Sequence, residues 1–114
     1  MKKLQEFEQS TQFLDKNMRI GKLAKMLNTN TRYLSAIINS EKNRTFNSYI
    51  NSLRIRYIVH KLQSDEHFLT YKVSYLADVS GFISQSSFTT AFKEVMEKTP
   101  SAFIKEEIEK LNQA

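Results

Sequence analysis

Basic side chains are crowded into the first half of this sequence of 114 residues. From Leu62 onward, five basic residues stand against eight acidic ones, whereas the stretch from Lys16 to Lys61 has one acid, Glu41, against ten basic residues. Those ten are Lys16, Arg19, Lys22, Lys25, Arg32, Lys42, Arg44, Arg54, Arg56 and Lys61. A cluster of one sign attracts polyanions such as nucleic acid, although the same residues also serve as ordinary solvated faces of helices. The charge pattern favours a polyanion-binding first half and leaves that simpler alternative open.

Residue types that support catalysis are scarce. His60 and His67 are seven residues apart, with no flanking acid or third ligand at a metal-binding spacing. Cysteine is absent, which excludes thiol nucleophiles, disulfides and cysteine-based zinc sites. No nucleophile–base pair at a recognisable spacing and no glycine-rich phosphate loop occurs. We therefore expect a protein that is not an enzyme and that uses no metal or cofactor.

The composition predicts an all-helical protein. Hydrophobic residues make up 40% of the sequence and aromatic residues 11%, enough for a compact core, while two glycines and one proline leave few breaks of the kind that β-rich folds need. No apolar run approaches the roughly 18 residues of a membrane span, and the first residues lack the core of a signal peptide. We expect a cytoplasmic segment without membrane contact, either a stand-alone protein or a piece of a longer, membrane-anchored one.

The stretch from Phe46 to Ser64 has the pattern of one long helix. Thr45 is a suitable N-cap, and about 18 residues at 1.5 Å each give a rod of roughly 27 Å. Residues expected off its apolar stripe are Asn47, Asn51, Arg54 and Lys61. The stripe itself, at spacings of three and four, comprises Phe46, Tyr49, Ile50, Leu53, Tyr57, Ile58 and Leu62.

The blocks on either side of this helix resemble each other. Residues 23–50 match residues 76–104 at an offset of 53, which becomes 54 after one extra residue in the second block. Matched positions include Leu23 with Leu76, Ala24 with Ala77, Asn28 with Gly81, Leu34 with Phe88 and Thr45 with Thr99. The pattern indicates a tandem duplication.

Each block predicts two short helices joined by a tight turn, over 18–27 and 31–40 in the first and over 71–80 and 85–96 in the second. A small alanine lies where each pair of helices would cross, as in a helix-turn-helix. Asn30 and Ser84 are suited to cap the second helix of each pair, and Gly81 to supply a turn of positive φ.

The flanking segments complete the prediction. A first helix is expected over residues 2–16, with Leu4, Phe7, Thr11 and Leu14 on one face. A last helix is expected over 101–111, after Thr99 as N-cap and Pro100 as its first residue, and residues 65–70 are expected to form a loop.

Several of these strings together resemble the DNA-binding domain of AraC/XylS transcription regulators. They are Phe46-Asn-Ser-Tyr-Ile-Asn-Ser-Leu-Arg-Ile, Val73-Ser-Tyr-Leu-Ala-Asp-Val-Ser-Gly-Phe, Ser84-Gln-Ser-Ser-Phe-Thr-Thr-Ala-Phe-Lys and Thr99-Pro-Ser-Ala-Phe. The resemblance covers residues 18–103. It implies about seven helices forming two helix-turn-helix units, over 1–45 and 65–114, joined by a linker helix over 46–64, with each unit's second helix entering one of two successive major grooves of double-stranded DNA.

The resemblance also implies which residues meet DNA. In the first unit, base-edge contacts would come from Arg32, Ser35 and Ala36, with Thr31 and Asn39 near phosphates. The second unit would use Gln85, Ser86, Thr89 and Thr90 on base edges, with Ser84 and Lys93 nearer the backbone. Arg32 suits guanine and Gln85 suits adenine, whereas Ala36 can only touch a thymine methyl and predicts weak readout by the first unit.

The sequence leaves alternatives to sequence-specific DNA binding open. Tandem helix-turn-helix units also bind other proteins, so the main alternative is a helical protein-interaction module without sequence-specific DNA binding. RNA binding is less favoured, because the sequence shows no aromatic platform on which unstacked bases could stack. Regulators of this kind usually carry a sensing or dimerising domain and act on RNA polymerase; this segment alone we expect to be a monomer. We further predict that the basic first unit supplies most non-specific attraction to DNA and the second unit more of the sequence choice.

Overall fold

The computed structural model describes residues 2–113, and within that range it contains α-helices and 3₁₀ turns but no strand. The seven α-helices are α1 (Lys2–Gln9), α2 (Ile20–Met26), α3 (Thr31–Lys42), α4 (Phe46–Ser64), α5 (Val73–Val79), α6 (Gln85–Met96) and α7 (Pro100–Gln113). The 3₁₀ helices span Gln12–Leu14 and Glu66–Thr70. The all-α prediction is therefore confirmed. None of the described helices has both the length and the hydrophobicity needed to cross a bilayer.

The chain divides into two compact units, and the division falls inside α4, between Leu53 and Arg54. The first unit contains α2 and α3, and the second contains α5 and α6, so each holds one helix-turn-helix pair.

The first unit packs α1, α2, α3 and the start of α4 around a largely aliphatic core. Its buried apolar residues are Leu4, Phe7, Phe13, Met18, Leu23, Ala24, Leu27, Leu34, Ile38, Tyr49, Ile50 and Leu53. Phe7 and Phe13 meet edge to face, with ring centroids 6.3 Å apart. Burial of these side chains is the main stabilising contribution to the unit.

The second unit has a core in which aromatic rings form a continuous series. Phe82 meets Phe88, Phe88 meets Phe92, and Phe92 meets Phe103, with centroid separations of 5.5, 5.7 and 5.6 Å. These rings are buried with Ile55, Ile58, Leu62, Leu69, Leu76, Ala77 and Ala91. Contacts of this geometry add to the stabilisation that burial alone provides.

Two helix predictions are corrected by the structure. The first helix ends at Gln9 rather than near residue 16, because the Ser10 hydroxyl donates a hydrogen bond to the Phe7 carbonyl at 2.7 Å and the chain turns there. As a result Phe13, and not the exposed Thr11, enters the core. Residues 65–70, expected as a loop, include a 3₁₀ helix that the Asp65 side chain caps by accepting from the His67 amide at 3.0 Å.

Helix α4 is continuous over its predicted range, but its burial is broader than one stripe. Ile55 is fully buried, and Arg54, expected off the stripe, is only 8% exposed. The Arg54 guanidinium lies 5.7 Å from the centroid of the Phe82 ring, where the face of the ring favours a cation. Thr45 caps the helix as predicted, with its hydroxyl accepting from the Ser48 amide at 3.2 Å.

Candidate nucleic-acid interface

The turn of each helix-turn-helix is closed by the same backbone hydrogen bond. In the first unit the Thr29 amide donates to the Ala24 carbonyl at 2.9 Å, and in the second the Phe82 amide donates to the Ala77 carbonyl at 3.0 Å. The residue before each donor has a positive φ, 56° at Asn28 and 91° at Gly81. Asparagine and glycine are the residues that tolerate this conformation best, so the local sequence fixes both turns.

Each second helix begins with a side-chain cap at the predicted residue. The Asn30 side chain accepts from the Tyr33 amide at 2.9 Å, and the Ser84 hydroxyl accepts from the Ser87 amide at 3.1 Å. Such caps satisfy amides that the helix itself leaves without partners. Helices α3 and α6, each of 12 residues, therefore start at defined points after their turns.

Packing holds each second helix against the first through one face. Leu34 and Ile38 of α3 are fully buried, as are Phe88 and Phe92 of α6 at the equivalent positions. At about 100° per residue, two positions four apart define one side of a helix, and the opposite side is left to solvent. The solvent-facing side of α3 and of α6 is the candidate interface.

In the first unit the predicted contact residues lie on or beside this outer side. Thr31, Arg32, Ala36 and Asn39 are exposed, and Ser35 is half-buried at the edge. The Asn39 side-chain amide donates to the Ser35 carbonyl at 3.1 Å, so the Asn39 oxygen is directed to other partners.

In the second unit the predicted residues have the same arrangement. Five of them, Ser84, Gln85, Ser86, Thr90 and Lys93, are exposed, and Thr89 is half-buried. The Ser84 hydroxyl accepts from the Ser87 amide in the cap of α6, so this residue positions the start of the helix.

The two sets correspond residue by residue at an offset of 54. The pairs are Thr31 with Gln85, Arg32 with Ser86, Ser35 with Thr89, Ala36 with Thr90 and Asn39 with Lys93. Each unit thus presents the same five positions, with a single charge on each set: Arg32 near the start of α3 and Lys93 in the last turn of α6.

Two exposed residues near these helices are not among the residues predicted to contact DNA. Tyr33, in the first turn of α3, is 53% exposed, and Ile83, in the turn before α6, is 74% exposed. The second turn is one residue longer than the first and contains Ile83, so the change of offset from 53 to 54 was the available signal. Tyr33 had no such signal, because an aromatic residue at helical spacing ordinarily indicates core.

Charge differs sharply between the units. The first has nine basic and four acidic residues, a net charge of +5, and the second has eight of each, a net charge of zero. Some of the first unit's lysines are paired: Lys22 with Asp15, and Lys42 with Glu8 at 3.2 Å. Arg32 has no ion-pair partner among the residues that the structure describes, which leaves its guanidinium available to an anion.

A small, partly buried network anchors α3 to its neighbours in the first unit. Glu8 of α1 accepts a hydrogen bond of 2.6 Å from the Tyr49 hydroxyl of α4 and pairs with Lys42 at the end of α3. Burial raises the pKa of Tyr49 well above its ordinary value, and the hydrogen bond and negative charge of Glu8 raise it further. The tyrosine stays protonated at neutral pH and holds three helices together.

The part of the chain that the structure describes contains no metal-binding cluster. Within residues 2–113, no group of three or more histidine, cysteine, aspartate or glutamate side chains is placed to hold a metal ion. His67 lies in the second 3₁₀ helix and His60 on the exposed side of α4.

Comparison with known proteins agrees with this geometry. A family model for a helix-turn-helix domain matches residues 23–106, which include α3 and α6 in full. The chain belongs to the AraC/XylS helix-turn-helix family. This bears out the resemblance read from the sequence strings.

Curated relatives of this AraC/XylS-type chain are regulators. It is 32% identical over 91 residues to the TCP pilus virulence regulatory protein of Vibrio cholerae, and 28% identical over 90 residues to the Msm operon regulatory protein of Streptococcus mutans. The matches cover 80% and 79% of this chain but only 31% of each relative. The chain therefore spans about a third of the length of the curated relatives it matches.

Solved structures similar to this AraC/XylS-type chain confirm the fold. The C-terminal domain of AraT, a response regulator from Geobacillus stearothermophilus, aligns with a TM-score of 0.77 at 24% identity, covering 92% of this chain and 83% of that one. The C-terminal domain of the two-component response regulator yesN from Fusobacterium nucleatum aligns with a TM-score of 0.73 at 23% identity, covering 90% and 96%.

Proposed function

We propose that this chain binds double-stranded DNA in a sequence-specific manner as a transcription regulator, or as the output domain of one. Helices α3 and α6 act as recognition helices, each entering one of two successive major grooves. The single observation that carries the proposal is that two capped helix-turn-helix units present the same five positions on or beside the solvent-facing side of their second helix. A recognition helix reads base edges chiefly through residues in its N-terminal part, where three of those five positions lie.

The proposed contacts divide into base readout and backbone positioning. Arg32 donates two hydrogen bonds to O6 and N7 of a guanine, and Gln85 bonds N6 and N7 of an adenine. Weaker choice comes from Ser35, Ser86, Thr89 and Thr90, and Ala36 touches a thymine methyl. Thr31, Asn39, Ser84 and Lys93 lie nearer phosphates and set the register of the protein on the duplex.

Helix α4 serves in this proposal as the linker between residues 1–45 and 65–114. Successive major grooves on one side of a duplex are about 34 Å apart, so the two half-sites are proposed to lie one helical turn apart.

The regulatory part of the proposal is supported by the relatives. The Vibrio cholerae protein regulates virulence and the Streptococcus mutans protein an operon, by their names. We propose the same class of role here, in the cytoplasm and in combination with RNA polymerase. Since the relatives are about three times as long as the match, a sensing or dimerising domain is proposed as a further part of the regulator.

The test is selection of DNA from a random-duplex pool at two salt concentrations, followed by sequencing of the retained molecules. We expect enrichment of a bipartite motif with half-sites about one helical turn apart. We also expect the logarithm of the binding constant to fall with the logarithm of the salt concentration with a slope of about −5, if about six phosphates are neutralised. Salt-sensitive binding without enrichment would reject sequence-specific readout by this chain. Absence of binding at low salt would favour the protein-interaction alternative.

Variants then assign the readout. Arg32→Ala and Gln85→Ala should each relax the sequence preference in one half-site and leave the other unchanged. Lys105→Ala on α7 and Gln63→Ala on α4 are matched controls, because both residues are exposed and lie outside the candidate interface. Equal effects of the controls and the test variants would contradict the assignment.

A further inference from the structure

Ile83 occupies an unusual position for an aliphatic side chain. At 74% exposure it is the most exposed large hydrophobic residue among those that the structure describes. Its neighbours in the chain are both fixed: Phe82 is buried and hydrogen-bonded to Ala77, and Ser84 caps α6. The backbone on either side therefore holds Ile83 in place and directs it away from the core, beside the N-terminal end of α6.

The first unit has nothing equivalent. One residue, Thr29, separates the positive-φ residue from the cap in the first turn, whereas two, Phe82 and Ile83, separate them in the second. The two turns otherwise share their backbone hydrogen bond and their cap. The longer turn thus adds one apolar side chain next to Gln85 and Ser86, while the backbone hydrogen bond and the helix cap stay the same.

The chemistry of the major groove limits what such a side chain can recognise. Base edges there present hydrogen-bond donors and acceptors, and their one apolar group is the C5-methyl of thymine. A β-branched side chain is stiff at χ1, so an isoleucine loses little rotamer freedom when it meets that group. We propose that Ile83 contacts the C5-methyl group of a thymine in the half-site read by α6, and so selects thymine at one position. This inference rests on the proposed function.

The proposed Ile83 contact predicts a preference for thymine that the neighbouring Gln85 and Ser86 alone would not give. Gln85 selects adenine by hydrogen bonds, and Ile83 selects a thymine by the exclusion of water from two apolar surfaces. The second half-site therefore has an A·T-containing core that depends on two different kinds of interaction. Loss of the Gln85 hydrogen bonds would leave the contact between Ile83 and the thymine methyl in place.

The experiment replaces thymines by deoxyuridine, which lacks only the C5-methyl group. Each thymine of the second half-site in a selected duplex is replaced singly, and affinity is measured for the unmodified chain and for Ile83→Ser. We expect one position at which the unmodified chain loses affinity by about fourfold, the effect of one buried methyl-sized group, and at which Ile83→Ser shows no difference between thymine and uracil. Ile83→Val should retain part of the discrimination.

Leu111→Ser is the matched control, because Leu111 is a comparably apolar, exposed residue on α7. This variant should discriminate thymine from uracil as the unmodified chain does. Discrimination that survives in Ile83→Ser, or that is absent at every thymine for the unmodified chain, would overturn the inference while leaving DNA binding established. Failure of the unmodified chain to bind any duplex would instead overturn the proposed function and this inference together.

Discussion

In both units a helix of seven residues, a tight turn and a helix of 12 residues are closed by the same capping bonds, yet the first unit has a net charge of +5 and the second of zero. Their cores differ too, with mainly aliphatic packing in the first and a series of four phenylalanines in the second. The backbone geometry therefore depends on a few positions, and the remaining residues are free to set charge and surface chemistry separately. This separation is the basis for proposing attraction by the first unit and sequence choice by the second.

The cores should respond differently to loss of a central side chain. Phe88→Ala should lower the free energy of unfolding by about 3–5 kcal/mol, because the ring contacts Phe82 and Phe92, and Leu34→Ala at the equivalent position by about 2–4 kcal/mol. Amide hydrogen exchange, read separately in each unit, measures both. A larger cost for Leu34→Ala would contradict the greater contribution of the aromatic core.

The equivalent pair Arg32 and Ser86 tests base readout by the two units. Arg32→Ala should weaken binding by about 1–3 kcal/mol and Ser86→Ala by about 1 kcal/mol, and neither should change the salt slope, because both residues are proposed to contact base edges rather than phosphates. Titrations of one duplex at several salt concentrations supply both quantities. A salt slope reduced by about 1 for Arg32→Ala would show that the guanidinium neutralises a phosphate instead of reading a base.

The caps test whether both units depend on the same local device. Asn30→Ala and Ser84→Ala should each lower the free energy of unfolding by about 0.5–2 kcal/mol, because each removes an acceptor for an amide that α3 or α6 leaves unsatisfied. Chemical denaturation measures the loss. Asn30→Ser and Ser84→Asn are the controls and should retain most of the stability; a cost as large as that of alanine would show that the residue acts through another contact.

Surface lysines sharpen the contrast in charge. Lys22→Ala in the first unit should reduce the salt slope by about 0.9, the value for one phosphate neutralised, and Lys98→Ala in the second should leave it unchanged. The comparison is balanced, since each lysine is paired with one acid, Asp15 or Glu106. Salt slopes for both variants equal to that of the unmodified chain would remove the support for attraction by the first unit.

The smallest effect is expected where the second helix of each unit ends. Glu97 and Asn43 both have the left-handed conformation, with φ of 61° and 54°. Glu97→Gly should raise the free energy of unfolding by about 1 kcal/mol, whereas Asn43→Gly should change it by a few tenths, because asparagine already tolerates this conformation. Thermal denaturation of the two variants is the measurement, and destabilisation by Glu97→Gly would show that the glutamate side chain makes a compensating contact.

Much of this fold could be predicted because its boundaries are local. Thr45, Asn30 and Ser84 are cap residues by type and spacing, and each cap forms as predicted. The end of α1 was missed because Ser10 competes for the Phe7 carbonyl, a bond that periodicity does not show. The burial of Arg54 was missed because it depends on Phe82, which is 28 residues further along the chain.

The candidate interface was only partly predictable for a related reason. Helical spacing separates outer positions from core positions, so Arg32 and Gln85 were found on the exposed side. Periodicity does not apply within a turn, and it could not distinguish the buried Phe82 from the exposed Ile83 beside it. The contact that each exposed residue makes with DNA depends on a partner that the sequence does not contain.

The unequal lengths of the two turns have a consequence for how such repeated units diverge. A turn that is closed by a backbone bond at one end and a side-chain cap at the other accepts one more residue at little cost, since the flanking helices keep their packing and their caps. One inserted residue there changes, in a single step, what a helix-turn-helix unit presents to its ligand. A chimaera that transfers Ile83 into the first turn, between Thr29 and Asn30, would repeat that step in the laboratory.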